Sequence, residues 1–97
     1  MVRLIVTPQA QQDILVAAEW YEGQTSGLVQ AFLDQLRDVR NRLVKTPLIY
    51  QKRVASLRLV RLRRFPYCVY FRADDDLIVI VAVLHERRDP SALQARL

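Results

Sequence analysis

The feature that most constrains this fold is a change of hydrophobic period near Ser56. Before it, apolar residues recur at the spacing of helix faces. After it, they crowd into the runs Ser56 to Leu62, Tyr67 to Ala73 and Leu77 to Leu84. The breaks between these runs are Arg63-Arg64-Phe65-Pro66 and Asp74-Asp75-Asp76, short polar or proline-containing segments that read as the turns of an antiparallel meander. In the first half, Thr7-Pro8 offers a hydroxyl cap followed by a proline where its missing N–H costs nothing. Ala10, Ile14, Ala17, Ala18 and Tyr21 then form one helical face, and the helix is expected to end at Gly23. With Ser26 as cap, Leu28, Phe32, Leu36, Val39 and Leu43 step by four, four, three and four residues until Thr46-Pro47 stops the second helix. So short a connection makes the helices an antiparallel hairpin.

Preceded by the β-branched run Val2 to Val6, the order becomes strand-helix-helix-strand-strand-strand and a tail. The expected fold is α+β, an antiparallel helical hairpin packed on one face of a twisted, mainly antiparallel sheet, within a single domain spanning 1–97. In the middle run Tyr67, Val69, Phe71 and Ala73 share the face toward the helices, and Cys68, Tyr70 and Arg72 share the other. The last run is apolar on both faces, with Ile78, Ile80, Ala82 and Leu84 opposite Leu77, Val79, Val81 and Val83. Its second face must be covered by the C-terminal tail or by a partner chain. Pro47 to Ala55 reads as an irregular connection crossing an end of the sheet.

Charge is polarised along the chain. Between Val39 and Ala73 there are ten basic residues and no Asp or Glu, against a net charge of +5 overall. Such a field favours a negatively charged partner, whether nucleic acid, anionic lipid or an acidic protein. No apolar run is long enough for a membrane span, and Met1 to Val6 leads straight into a polar segment, so a cytoplasmic protein without a signal peptide is expected. One cysteine, Cys68, and one histidine, His85, leave a metal centre of the usual His/Cys kind without ligands, and no glycine-rich phosphate loop exists. Neither metal nor cofactor is expected.

With Asp74 to Asp76 as a three-residue loop and Ala73 opposite Leu77, Cys68 lies opposite Ala82 while His85 points to the other face. That disfavours a Cys-His nucleophile pair, although a one-residue slip would reverse the conclusion. His85 alone stands at a strand end, followed by Glu86, Arg87, Arg88, Asp89 and Pro90, either as a displayed functional group or as a strand-terminating side chain with a structural hydrogen bond. If Arg63 and Pro66 close a hairpin as a pair, Arg61 and Arg63 join Tyr70 and Arg72 in an exposed cluster, while Arg58 shares the helix-facing side with Val60 and Leu62. The exposed cluster suits phosphate or an acidic helix.

The segment Arg61 to Arg72, with its Phe65-Pro66-Tyr67 element, and the ending Val83 to Pro90, with its His-x-x-Arg-Asp pattern, resemble the ParE branch of the RelE/ParE toxin superfamily, also described as plasmid stabilisation proteins. Ala10 and Asp13 in the first helix, Trp20-Tyr21 near its end, and Gly27 with Ala31-Phe32 extend the resemblance over nearly the whole chain. It implies the toxin half of a type II toxin-antitoxin pair, held in a hetero-oligomer by a cognate acidic antitoxin of the ParD kind. ParE toxins are associated with inhibition of DNA gyrase, whereas RelE toxins cut mRNA in the ribosomal A site. RelE-like enzymes place a Tyr or His acid or base close to the C-terminus. Here no tyrosine follows Tyr70, which favours gyrase inhibition without catalysis. The alternative is a metal-independent endoribonuclease using Arg61, Arg72 and His85, and a further alternative is a non-toxic basic binding module. Partner or target contacts are expected at Trp20, Arg61, Arg63, Tyr70, Arg72, His85, Arg87 and Arg88, with an amphipathic antitoxin segment burying Trp20 and continuing toward Arg61 and Arg72.

Overall fold

Thr7 caps the first helix as its position suggests, its Oγ1 accepting from the Ala10 N–H at 3.1 Å with Pro8 opening the helix. The structure is a computed structural model describing residues 2–97; Met1, the first residue of the Met1 to Val6 lead-in, lies outside it. The elements are β1 (Arg3–Val6), α1 (Pro8–Glu22), α2 (Leu28–Lys45), β2 (Lys52–Val54), β3 (Leu57–Arg61), β4 (Tyr67–Asp74) and β5 (Leu77–His85), with short 3-10 segments at Pro47–Ile49 and Pro90–Arg96. The sheet order is β1-β5-β4-β3-β2, and only β1 against β5 is parallel. The result is the expected α+β arrangement.

Three local expectations need correction. Gly27, not Ser26, is the N-cap of α2, because the chain turns there through φ +89°, a left-handed conformation that glycine adopts without strain. Pro47 to Ala55 is not wholly irregular, since Lys52–Val54 pairs with β3 as an edge strand. Its exposed Lys52 and Arg53 guard that edge against further pairing. The β4–β5 turn is shorter than expected. Asp74 pairs with Leu77, leaving Asp75 and Asp76 at the tip, and Asp75 takes φ 47°, which an aspartate tolerates.

A β-bulge then shifts the same ladder a second time. Phe71 faces Ile80 but Tyr70 faces Ala82, so Val81 is the extra residue on β5. Alternation therefore breaks in mid-strand: Ile78, Ile80 and Val83 pack toward the helices, while Val79, Val81, Ala82 and Leu84 pack on the other side. The strict parity expected for β5 fails for this reason.

Helices and sheet enclose a core in which Tyr21, Phe32, Phe65 and Tyr67 meet ring to ring, with Tyr21 and Phe65 centroids 4.9 Å apart and Phe32 and Tyr67 5.5 Å apart. Phe65-Pro66-Tyr67 thus docks the β3–β4 turn onto the helical hairpin. The opposite sheet face carries Leu57, Val79, Val81, Ala82 and Leu84, and the tail covers it with the fully buried Leu93. Of the two covers considered, the chain supplies its own here.

Candidate functional site

The outer sheet face positions the first group of candidate residues. Leu59 pairs with Tyr70 and Arg61 with Cys68, which places Arg61 on the same side as Tyr70 and Arg72, as strand parity implies. Arg61 is exposed and pairs with Glu86 at 3.1 Å, a surface contact that contributes under about 1 kcal/mol. Tyr70 is half-buried. Burial pushes its phenol above the usual value, a negative charge on neighbouring Cys68 would push it further, and Arg61 opposes both. Arg72 is half-buried opposite Val79.

Arg63 does not join this cluster. The Leu62 N–H donates to the Tyr67 carbonyl, so the hairpin closes one residue earlier than a pairing of Arg63 with Pro66 would require. Arg63 and Arg64 instead lie against α2, where both backbone N–H groups donate to Gln35 Oε1, at 3.1 and 3.3 Å. Arg58 turns inward, as expected, and donates to the Tyr50 carbonyl at 2.7 Å.

His85 ends β5 opposite Tyr67, with ring centroids 5.5 Å apart, and its Nδ1 accepts from the Arg87 N–H at 3.1 Å. Cys68 is buried and faces Leu84 rather than Ala82. The shorter turn and the bulge are each a one-residue shift; together they restore parity. Cys68 and His85 therefore do occupy opposite faces, and no nucleophile pair forms. His85 is likewise on the Tyr67 side of the sheet, away from the face of Arg61 and Arg72. Arg87 and Arg88 are exposed in the following turn, and the Glu86 N–H donates to the Pro66 carbonyl, tying that turn to the β3–β4 connection. Among the described residues no group of three His, Cys, Asp or Glu side chains could hold a metal ion, and no helix is long and apolar enough to cross a membrane.

Trp20 is 63% exposed, with Leu15 and Val16 also solvent-facing on α1. Its neighbour Tyr21 touches Tyr67, which touches His85. The C-terminal end of α1 and the strand end bearing His85, Glu86 and Arg61 are thus at one end of the molecule. Two further features carry no local sequence signal because each joins residues remote in the chain: an ion pair between Asp13 of α1 and Arg96 of the C-terminal segment, and the Gln35 clamp on the Arg63 and Arg64 amides.

The family described as the ParE toxin of type II toxin-antitoxin system, parDE, matches residues 4–90. Among solved structures, one titled "Chromosomal ParDE TA system from P. aeruginosa" is similar at 19% identity with a TM-score of 0.63, over 88% of this chain and 96% of that chain. At that identity the likeness shows the fold. No curated protein matches the sequence.

Proposed function

The chain belongs to the ParE toxin family of type II toxin-antitoxin systems, and from that premise we propose a toxin that a cognate antitoxin neutralises and that, once free, inhibits DNA gyrase by binding. The observation that carries the binding reading is the separation of the candidate catalytic groups. His85 shares a face with Tyr67, whereas Arg61 and Arg72 lie on the other face of the sheet. A metal-independent ribonuclease needs an acid or base and its cations around one phosphate. Here Arg61 is engaged by Glu86 and the Nδ1 of His85 by a backbone amide.

The antitoxin surface begins at Trp20, whose large exposed ring, one helical turn from the exposed Val16, suits an apolar anchor. It continues past His85 and Arg87 to Arg61, Tyr70 and Arg72, where an acidic segment gains charge-assisted hydrogen bonds. Arg88 adds to the same rim. Induction in growing cells tests the reading: plasmid supercoiling should change while message lengths stay intact, and co-expression of the cognate antitoxin should restore growth. Cut messages with unchanged plasmid topology would favour the ribonuclease instead. Unimpaired growth without any antitoxin would favour a non-toxic binding module.

A further inference from the structure

A second basic site uses residues that the surface proposed above does not. A cleft of about 520 Å³ runs between α2 and the β3–β4 turn, lined by Gln35, Asp38, Asn41 and Arg42 from the helix and by Arg63 and Arg64 from the turn. Gln35, Asp38 and Arg42 recur at helical spacing, so a single face of α2 forms one wall. The other wall is held in place. Leu62 and Phe65, which flank the two arginines, are 7% and 6% exposed, and the Arg63 and Arg64 amides converge on the single oxygen of Gln35. The backbone presenting the arginines is therefore ordered before any ligand arrives.

The charges in the cleft do not cancel. The ion pairs among the described residues join Arg37 to Asp34, Arg61 to Glu86 and Arg96 to Asp13, so none engages Arg42, Arg63 or Arg64. Three guanidinium groups thus share the lining with one carboxylate, Asp38. Guanidinium forks match phosphate oxygens, and a cleft open to solvent suits a charged, polar ligand. Asn41 and Asp38 add a donor and acceptors on the same wall, of the kind that read base edges.

We propose that this cleft binds a nucleotide, with Arg63, Arg64 and Arg42 on its phosphate and Asn41 toward its base. The ligand chemistry is a phosphate ester, supplied either by a nucleic-acid strand or by a free nucleotide. None of these residues belongs to the surface proposed above for the antitoxin, so failure of the site would leave that reading standing.

Fluorescence anisotropy of a labelled oligothymidylate with the purified full-length chain tests the proposal. The double variant Arg63→Gln/Arg64→Gln should weaken binding at least about tenfold and lower the slope of log affinity against log salt by about 1.4, about 0.7 for each cation removed from a single-stranded probe. The charge-matched Arg3→Gln/Lys52→Gln, at the two edges of the sheet, should change affinity by less than about twofold. ATP should compete. Competition by ATP at lower concentration than unlabelled oligothymidylate assigns the site to a free nucleotide, and the reverse order assigns it to a strand; both support it. Equal losses in the two double variants, absence of binding at low salt, or stronger competition by an oligoglutamate peptide than by either nucleotide probe would overturn it. If the cleft variant fails to fold, amide NMR of the unmodified chain decides: ATP must shift the Arg63 and Arg64 backbone signals and the Asn41 side-chain signal, and unchanged signals would refute the site.

Discussion

The Asp13 carboxylate and the Arg96 guanidinium form a two-point ion pair, at 2.5 and 3.1 Å, that joins α1 to the C-terminal tail. The same Asp13 accepts the Val83 N–H, and the same Arg96 donates to the Val81 carbonyl, so the pair satisfies the β5 backbone at the bulged residue and two residues beyond it, just past the end of β1. The side chains are only 11% and 17% exposed, which makes removing one partner more harmful than losing a surface bridge. Asp13→Ala should cost about 2 to 4 kcal/mol, because it strands both a cation and a backbone amide. Arg96→Ala should cost less. Urea unfolding of both variants and of the double variant measures the coupling, and full additivity would show that the pair does not act as a unit.

Leu93 depends on that same tether. It is fully buried against Val79, Val81 and Leu84 on the face away from the helices. Leu93→Ala should destabilise the fold by about 2 to 5 kcal/mol and raise binding of hydrophobic dyes. A change under about 0.5 kcal/mol in thermal or urea unfolding would mean that the tail does not cover the sheet in solution.

At Trp20, folding and binding should separate. The ring is mostly exposed, so Trp20→Ala should alter stability by no more than about 0.5 kcal/mol. As the proposed anchor, its loss should weaken the antitoxin complex at least about tenfold. Calorimetric titration with the antitoxin reads the second effect. Unchanged affinity would place the antitoxin on another surface.

Alkaline pH should destabilise the protein. Burial raises the phenols of Tyr21, Tyr67 and Tyr70 above their ordinary value of 10.0. Above that pH the unfolded chain loses these protons while the folded chain still holds them, so stability is intact below 10.0 and falls as pH rises through the folded-state values. Tyr70→Phe should flatten the decline. Because Arg61 lowers the Tyr70 phenol, Arg61→Ala should move its titration to higher pH, and tyrosinate absorbance follows both.

Much of this architecture can be read from residue spacing. Phe32, Leu36, Val39 and Leu43 are the buried face of α2 because a helix repeats every 3.6 residues, and Tyr67, Val69 and Phe71 face the helices because a strand repeats every two. Parity failed where it carried no information: in β5 both faces are apolar, so nothing in the run Leu77 to Leu84 marks Val81 as a bulge. β2 was hidden because the edge strand keeps Lys52 and Arg53 exposed, a pattern that resembles a loop. Strand alternation alone misplaces Arg63, because its backbone is held by Gln35, twenty-eight positions away. Trp20 and Arg61 are both exposed.

The proposed toxin activity is tested most directly by gyrase supercoiling of relaxed plasmid in the presence of the purified protein. The expected result is dose-dependent loss of supercoiling that equimolar antitoxin reverses. Supercoiling that proceeds unchanged at every concentration, with a preparation that still arrests growth when expressed without antitoxin, would contradict gyrase as the target.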